Sequence, residues 1–308
     1  MQRTIQITVS PDAATPLLKE LRSIGGVVGL SHQPGASLIP PGDVITVHAI
    51  NRATDAVMKA AQEARIHGPL SVVTAEIASV SDAEHQAAID DDVDEAMWEE
   101  LETGLRHQGR ITTNFLLLMA LGGVIAAAGA VAESSVSSLA YVASAIIAPG
   151  FEPVAKIPLG IVLRRREVLV SGLTSTLAGY AVLMIAAALT YLTLAAFHVV
   201  DATTFLEGDG LHHVREPGAM LLTIGAAGAV AGVVIESAYR RSVIAGALVA
   251  LSIIEAASAA GIAGVLGRWE IMGESLLRLA IDGLFILAAG VLVFGGKQLF
   301  VHRRAPLH

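Results

Sequence analysis

Residues 113–300 contain six apolar runs, each long enough to cross a bilayer, and that leaves few folds open. A helix needs about 20 apolar residues to span the hydrocarbon core. The runs lie at roughly 113–133, 139–163, 168–197, 217–236, 243–266 and 273–297. In lipid every backbone polar group must be satisfied within the chain, so such runs become helices. Charged residues make up 16% of the chain, against about 25% in ordinary soluble domains. Half of that charge lies in residues 1–112, little more than a third of the chain. A net charge of −8 leaves no basic footprint for nucleic acid. The absence of cysteine excludes a disulfide framework, a thiolate metal site and a cysteine nucleophile.

Basic residues assign sides to the membrane. Arg106 and Arg110, Arg164-Arg165-Arg166, Arg240-Arg241, and Lys297, Arg303 and Arg304 fall on one side after six crossings. The 134–138 turn and the 198–216 loop, with Asp201, Glu207 and Asp209, fall on the other. Arg215 and Arg268 are exceptions. The chain starts with an alternating segment over 3–9 and lacks the apolar centre of a signal peptide. Both termini are therefore expected in the cytoplasm, with the spans in the inner (plasma) membrane.

Residues 1–80 read as β-α-β-β-α-β, which predicts a ferredoxin-like α+β cytoplasmic domain. Strands are expected at 3–9, 27–33, 43–49 and 70–80, with helices at 11–23 and 53–67. A loop holding Pro34, Gly35, Pro40, Pro41 and Gly42 separates the middle strands. The domain is open to three readings: no ligand, a small sensed ligand, or contact between protomers. Residues 81–112 form an acidic, amphipathic helical linker. Its run Asp90-Asp91-Asp92-Val93-Asp94-Glu95 is expected as a solvated helix start. Trp98, Leu101 and Leu105 fall at helical spacing, on a helix lying on the membrane surface or against the first domain. Residues 301–308 are expected as a cytoplasmic tail.

The membrane half matches itself at a shift of 103 residues. Gly122, Ala126, Gly129 and Glu133 meet Gly225, Ala229, Gly232 and Glu236. Glu152 meets Glu255, and Glu167 meets Glu270. Two copies of three crossings, 113–198 and 216–300, must enter the membrane from opposite sides. Such inverted repeats commonly place a transport site at mid-membrane between the copies. The expected fold is thus a polytopic α-helical domain of six spans as a 3+3 inverted repeat.

Glu152 and Glu255 fall near the middle of the second and fifth spans, where a charge costs about 2.5–3.5 kcal/mol on insertion scales. They are the leading candidates for an ion or solute pathway, against neutral acids that bond a neighbouring helix. Pro149, Gly150 and Pro153 flank Glu152 and predict a break there. Ser252 replaces Pro149 in the second copy. Glu133, Glu236 and Asn114 are secondary candidates, with interfacial solvation expected for the two glutamates. Lys156 stands one turn after Glu152 and offers it a partner. Arg278 and Asp282 are spaced to neutralise each other in the sixth span. His198, His212 and His213 are expected as solvated loop residues. No phosphate-binding loop, nucleophile elbow or metalloprotease motif occurs, so no enzyme, cofactor or metal is expected.

Asn114 opening the first span, residues 144–153 (SAIIAPGFEP) and the following GIVLRRREVLVSGL are similar to a prokaryotic membrane family. The chain resembles "domain of unknown function 389", an uncharacterised hydrophobic domain, over roughly 90–297. The family also carries a proline-containing segment in its second half, which residues 251–256 lack. The resemblance implies a membrane architecture and supplies no established activity. The resulting expectation is a homo-oligomeric transporter or channel. The competing class is a non-transporting sensor or scaffold that acts through the first domain.

Overall fold

The structure is a computed structural model that describes residues 2–215, 218–238, 243–304 and 306. The chain divides into two compact units, Met1–Leu101 with Lys297–His308, and Glu102–Gly296.

In the first unit, elements run β1 (Arg3–Val9), α1 (Pro11–Ser23), β2 (Val27–Leu38), β3 (Pro41–Ala49), α2 (Thr54–Ala64) and β4 (Ser71–Glu76). The sheet order is β2-β3-β1-β4, with every neighbouring pair antiparallel. This is the order of a ferredoxin-like sandwich. Alternation sends Ile5, Ile7 and Val9 inward, where they meet Leu17 and Leu21 of α1 and Val57 and Met58 of α2. The predicted 34–42 loop is instead mostly strand. The Asp43 carboxylate accepts from the Gly35 N–H at 2.9 Å and contacts His32 Nε2 at 2.8 Å, so the two strands continue to a tight turn. Pro34 is tolerated because β2 is an edge strand. These bonds, from Gly35 first and His32 second, hold the Asp43 carboxyl below its ordinary value.

After β4 come α3 (Gln86–Asp90) and α4 (Trp98–Gln108). The acidic run does not start a helix. Asp92 instead accepts the backbone N–H groups of Asn51 and Arg52, and the Asn51 side chain donates to the carbonyls of Val93 and Glu95. Met97 enters the core of the sandwich, and Trp98 is fully buried. The last residues of the chain belong to this unit too. The Trp98 indole donates to the His302 carbonyl at 3.0 Å. Lys297 pairs with Glu95 at 2.8 Å and lies 5.6 Å from the Trp98 ring centroid. Arg304 bonds Asp55 and both oxygens of Glu99, and His302 contacts Asp55 at 3.0 Å. His302 and Arg304 of the expected tail are therefore bonded into this unit.

Burial opposes the charge of Asp55, but bonds and charges from His302 and Arg304 outweigh it and hold the carboxyl below its ordinary value. A group depressed in the folded state stabilises above its unfolded pKa, about 3.9 for Asp, and that stability is lost as pH falls through the folded value. Acid titration below about pH 4 is therefore expected to release the 297–306 segment, read as faster hydrogen exchange there. Asp55→Asn should show this release already at pH 7. Unchanged exchange in that variant would contradict the assignment.

The second unit holds α5 (Thr113–Ala130), α6 (Ser134–Ile147), α7 (Phe151–Val162), α8 (Arg166–Ala196), α9 (Ala202–Leu206), α10 (Asp209–Arg215), α11 (Ala219–Ser237), α12 (Val243–Val265) and most of α13 (Trp269–Phe300). Among the described residues, α5, α8, α11 and α13 are each long and apolar enough to cross a membrane. The pair α6 and α7, bent by 50° at a short break, makes a fifth span if counted as one. In α12 the apolar segment found is Ser252–Val265. Arg240 and Arg241, used above to assign sides, lie outside the described residues.

Small residues set the packing. The predicted small-residue stripe seats α6 on α5, because a Cβ on Gly122 would lie 2.6 Å from Ala148 Cβ and one on Gly129 would lie 2.8 Å from Ala140 Cβ. α12 packs against α5, α6, α7, α8 and α11. The 103-residue register recurs in the backbone. α7 and α12 end at Val162 and Val265, and α8 and α13 start at Arg166 and Trp269. Between them Arg164 and Gly267 both take the left-handed conformation, φ 55° and 67°. The bonds from the N–H groups of Leu163, Arg164 and Arg165 to Leu159, Ile161 and Gly160 recur from Leu266, Gly267 and Arg268 to Ile262, Gly264 and Ala263.

Candidate functional site

The site is built around the gap between α6 and α7. Pro149 denies the next turn its hydrogen bond, and Ala148 is extended. The carbonyl of Gly150, the cap of α7, accepts the Tyr180 hydroxyl of α8 at 3.0 Å. Ser144 donates to the Gly122 carbonyl at 2.7 Å, which ties the end of α6 to α5. The break is thus satisfied by protein, as backbone at membrane depth requires. Pro153 was expected to add to the break. It lies in the first turn of α7, where its missing N–H would have had no helical partner.

Glu152 is half-buried in the same turn, within electrostatic range of Tyr180 and of Glu236 on α11. Lys156 lies within range as well, but its ammonium donates to the Gly109 carbonyl and to Ser171 Oγ at 3.4 Å, so no bonded Lys156–Glu152 pair forms. On α12, Glu255 is half-buried and within range of Tyr141, Arg278 and Asp282. Tyr180 is also within range of Asp282. Tyr180 is thus within electrostatic range of both Glu152 and Asp282, while its hydroxyl bonds only the Gly150 carbonyl among the described residues. The structure shows no direct contact between Glu152 and Glu255.

Arg278 Nε and Asp282 Oδ2 are 2.9 Å apart, and each side chain is 3% exposed. Ser252, predicted as the second-copy counterpart of Pro149, lies on α12 near Asp282 of α13. Among the described residues, Arg278 Nη1 and Nη2, Asp282 Oδ1, Ser258 Oγ and Ser275 Oγ are buried without a hydrogen-bond partner. Ser252, Glu255 and Ser258 repeat every third position along α12, and Ser275, Arg278 and Asp282 share one face of α13. A Cβ on Gly225 would lie 3.4 Å from Asp282 Oδ1, so α11 passes closely over the pair.

The secondary candidates divide. Asn114 is exposed in the first turn of α5, whose cap is Thr112, bonded to the Phe115 N–H at 3.1 Å. Glu133 is exposed ahead of α6, whereas Glu236 is inside α11 and half-buried beside Glu152. The two were expected to be equivalent. The difference arises because α5 stops at Ala130 while α11 continues to Ser237. Sequence reasoning missed Tyr141, Tyr180, Ser258 and Ser275. Three-residue spacing from Glu255 and Arg278 would have pointed to the two serines, whereas the tyrosines carry no such pattern.

Residues 145–288 match the family described as Domain of unknown function (DUF389). No curated protein and no solved structure matches the chain.

Proposed function

For a chain that carries a DUF389 domain, we propose a membrane transporter or channel for an ion or small polar solute. Its pathway passes the acids Glu152, Glu236, Glu255 and Asp282, between two oppositely inserted copies of a three-crossing unit. The observation that carries this reading is the Arg278–Asp282 pair, 3% exposed among apolar helices, with Asp282 Oδ1, Ser258 Oγ and Ser275 Oγ buried beside it without partners among the described residues. Ionisable residues at such depth face protein or water and commonly mark ion and solute routes. The buried polar atoms without protein partners on α12 and α13 support a wet or solute-binding wall. The repeated turns at Arg164 and Gly267 support the duplication. Six spans, cytoplasmic termini and a homo-oligomer in the plasma membrane complete the proposal.

The test is flux in proteoliposomes, comparing wild type with Glu152→Gln and Glu255→Gln. Each variant is expected to lower flux by about tenfold or more, the effect of about 1.4 kcal/mol on a barrier. Flux unchanged in both would remove these acids from the mechanism. Wild-type protein that passes no ion or small solute would leave the sensor or scaffold as the better reading.

A further inference from the structure

An open cavity of about 720 Å³ lies at the start of α8, and none of the four acids above lines it. Its polar wall is Arg110, Arg166, Glu167, Ser171 and Thr174. Its apolar wall is Ile111 and Val170, which are 45% and 46% exposed. We propose that this cavity binds the headgroup of an anionic phospholipid.

The argument starts from charge. Two arginines and one glutamate leave the wall with a net charge of +1. Arg165, on the same turn, is taken by Glu102 at 2.9 Å. Arg110 and Arg166 are exposed and have no ion pair among the described residues. A guanidinium offers a fork of donors that matches phosphate oxygens. The Ser171 hydroxyl, which accepts from Lys156, can donate to a phosphate ester, and Thr174, whose hydroxyl donates to the Val170 carbonyl at 2.9 Å, can accept from a glycerol hydroxyl. The cavity also lies where α5 and α8 begin, both long enough to span a membrane. Headgroups lie at that level, and the exposed Ile111 and Val170 give the first acyl carbons an apolar surface. Basic pockets at span ends are a recurrent means of holding anionic headgroups. The proposal rests on reading these helices as spans and is independent of transport, so either reading can fail alone.

The experiment is native mass spectrometry of the full chain from detergent, with dioleoyl phosphatidylglycerol or dioleoyl phosphatidylcholine added at equal concentration. Wild type and Arg268→Gln, which removes an exposed arginine outside the cavity, are expected to retain phosphatidylglycerol. The Arg110→Gln/Arg166→Gln double variant is expected to retain it about tenfold less or lower. If that variant does not fold, Thr174→Leu, which narrows the cavity without altering charge, is expected to lower retention instead. Equal retention of the two lipids would overturn the proposal. So would retention unchanged in the folded double variant, or displacement by millimolar inorganic phosphate, which would mark a site for free anions.

Discussion

Replacing Arg278 with methionine is expected to destabilise the helical unit by about 3–5 kcal/mol, read from denaturant unfolding in detergent. The two side chains of the Arg278–Asp282 pair are 3% exposed, so removing one leaves a buried charge without compensation. The double variant Arg278→Met/Asp282→Leu should recover most of that stability, since a well-packed apolar pair often equals a buried ion pair. Flux then separates structure from function. A double variant that is stable yet silent assigns the pair to the pathway, and one that is stable and active makes it a packing device. A loss below about 1 kcal/mol in the single variant would show that the pair behaves as a solvated one.

The next largest effect is expected where α8 is gripped from two sides. A Cβ on Gly123 of α5 would lie 2.3 Å from the Leu183 carbonyl oxygen, and one on Gly261 of α12 would lie 2.3 Å from that of Met184. Backbone cannot swing aside as a side chain can. Gly261→Ala improves helix propensity by about 1 kcal/mol, but forcing the helices apart costs about 1–3 kcal/mol or more. The clash outweighs the propensity gain, and the variant should melt earlier than wild type. Gly283→Ala, with nothing within 4 Å of the added carbon, should melt at the same temperature or later. If both variants are equally stable, α8 and α12 are not in contact as described.

Some of this was readable in the residues. The alternation of Ile5, Ile7 and Val9, and the breakers Gly25-Gly26 and Gly68-Pro69, foretold the order of the sandwich because each is a local instruction. The turns at Arg164 and Gly267 stand 103 residues apart, the register of the self-match, since a helix stop is also written locally. The hairpin over 34–42 was hidden because Pro34 and Gly35 signal a loop unless an edge strand and Asp43 override them. The destination of Lys156 was hidden because helical spacing offers Glu152 as a partner, while the Gly109 carbonyl is brought near only by the fold. Glu133 and Glu236 look identical in the self-match. What separates them is the extra length of α11, a property of the whole helix.

Trp98 is covered by a carbonyl from His302, and Asp55 and Glu99 by Arg304. The first unit thus draws on both ends of the chain, with 102–296 inserted between them. A ribosome adds about 5–20 residues per second, so roughly 200 intervening residues delay completion by about 10–40 s. During that interval Trp98, Asp55 and Glu99 lack the bonds that His302 and Arg304 supply. Residues 297–304 must be made before this unit is whole, which makes the nascent protein dependent on whatever shields it meanwhile.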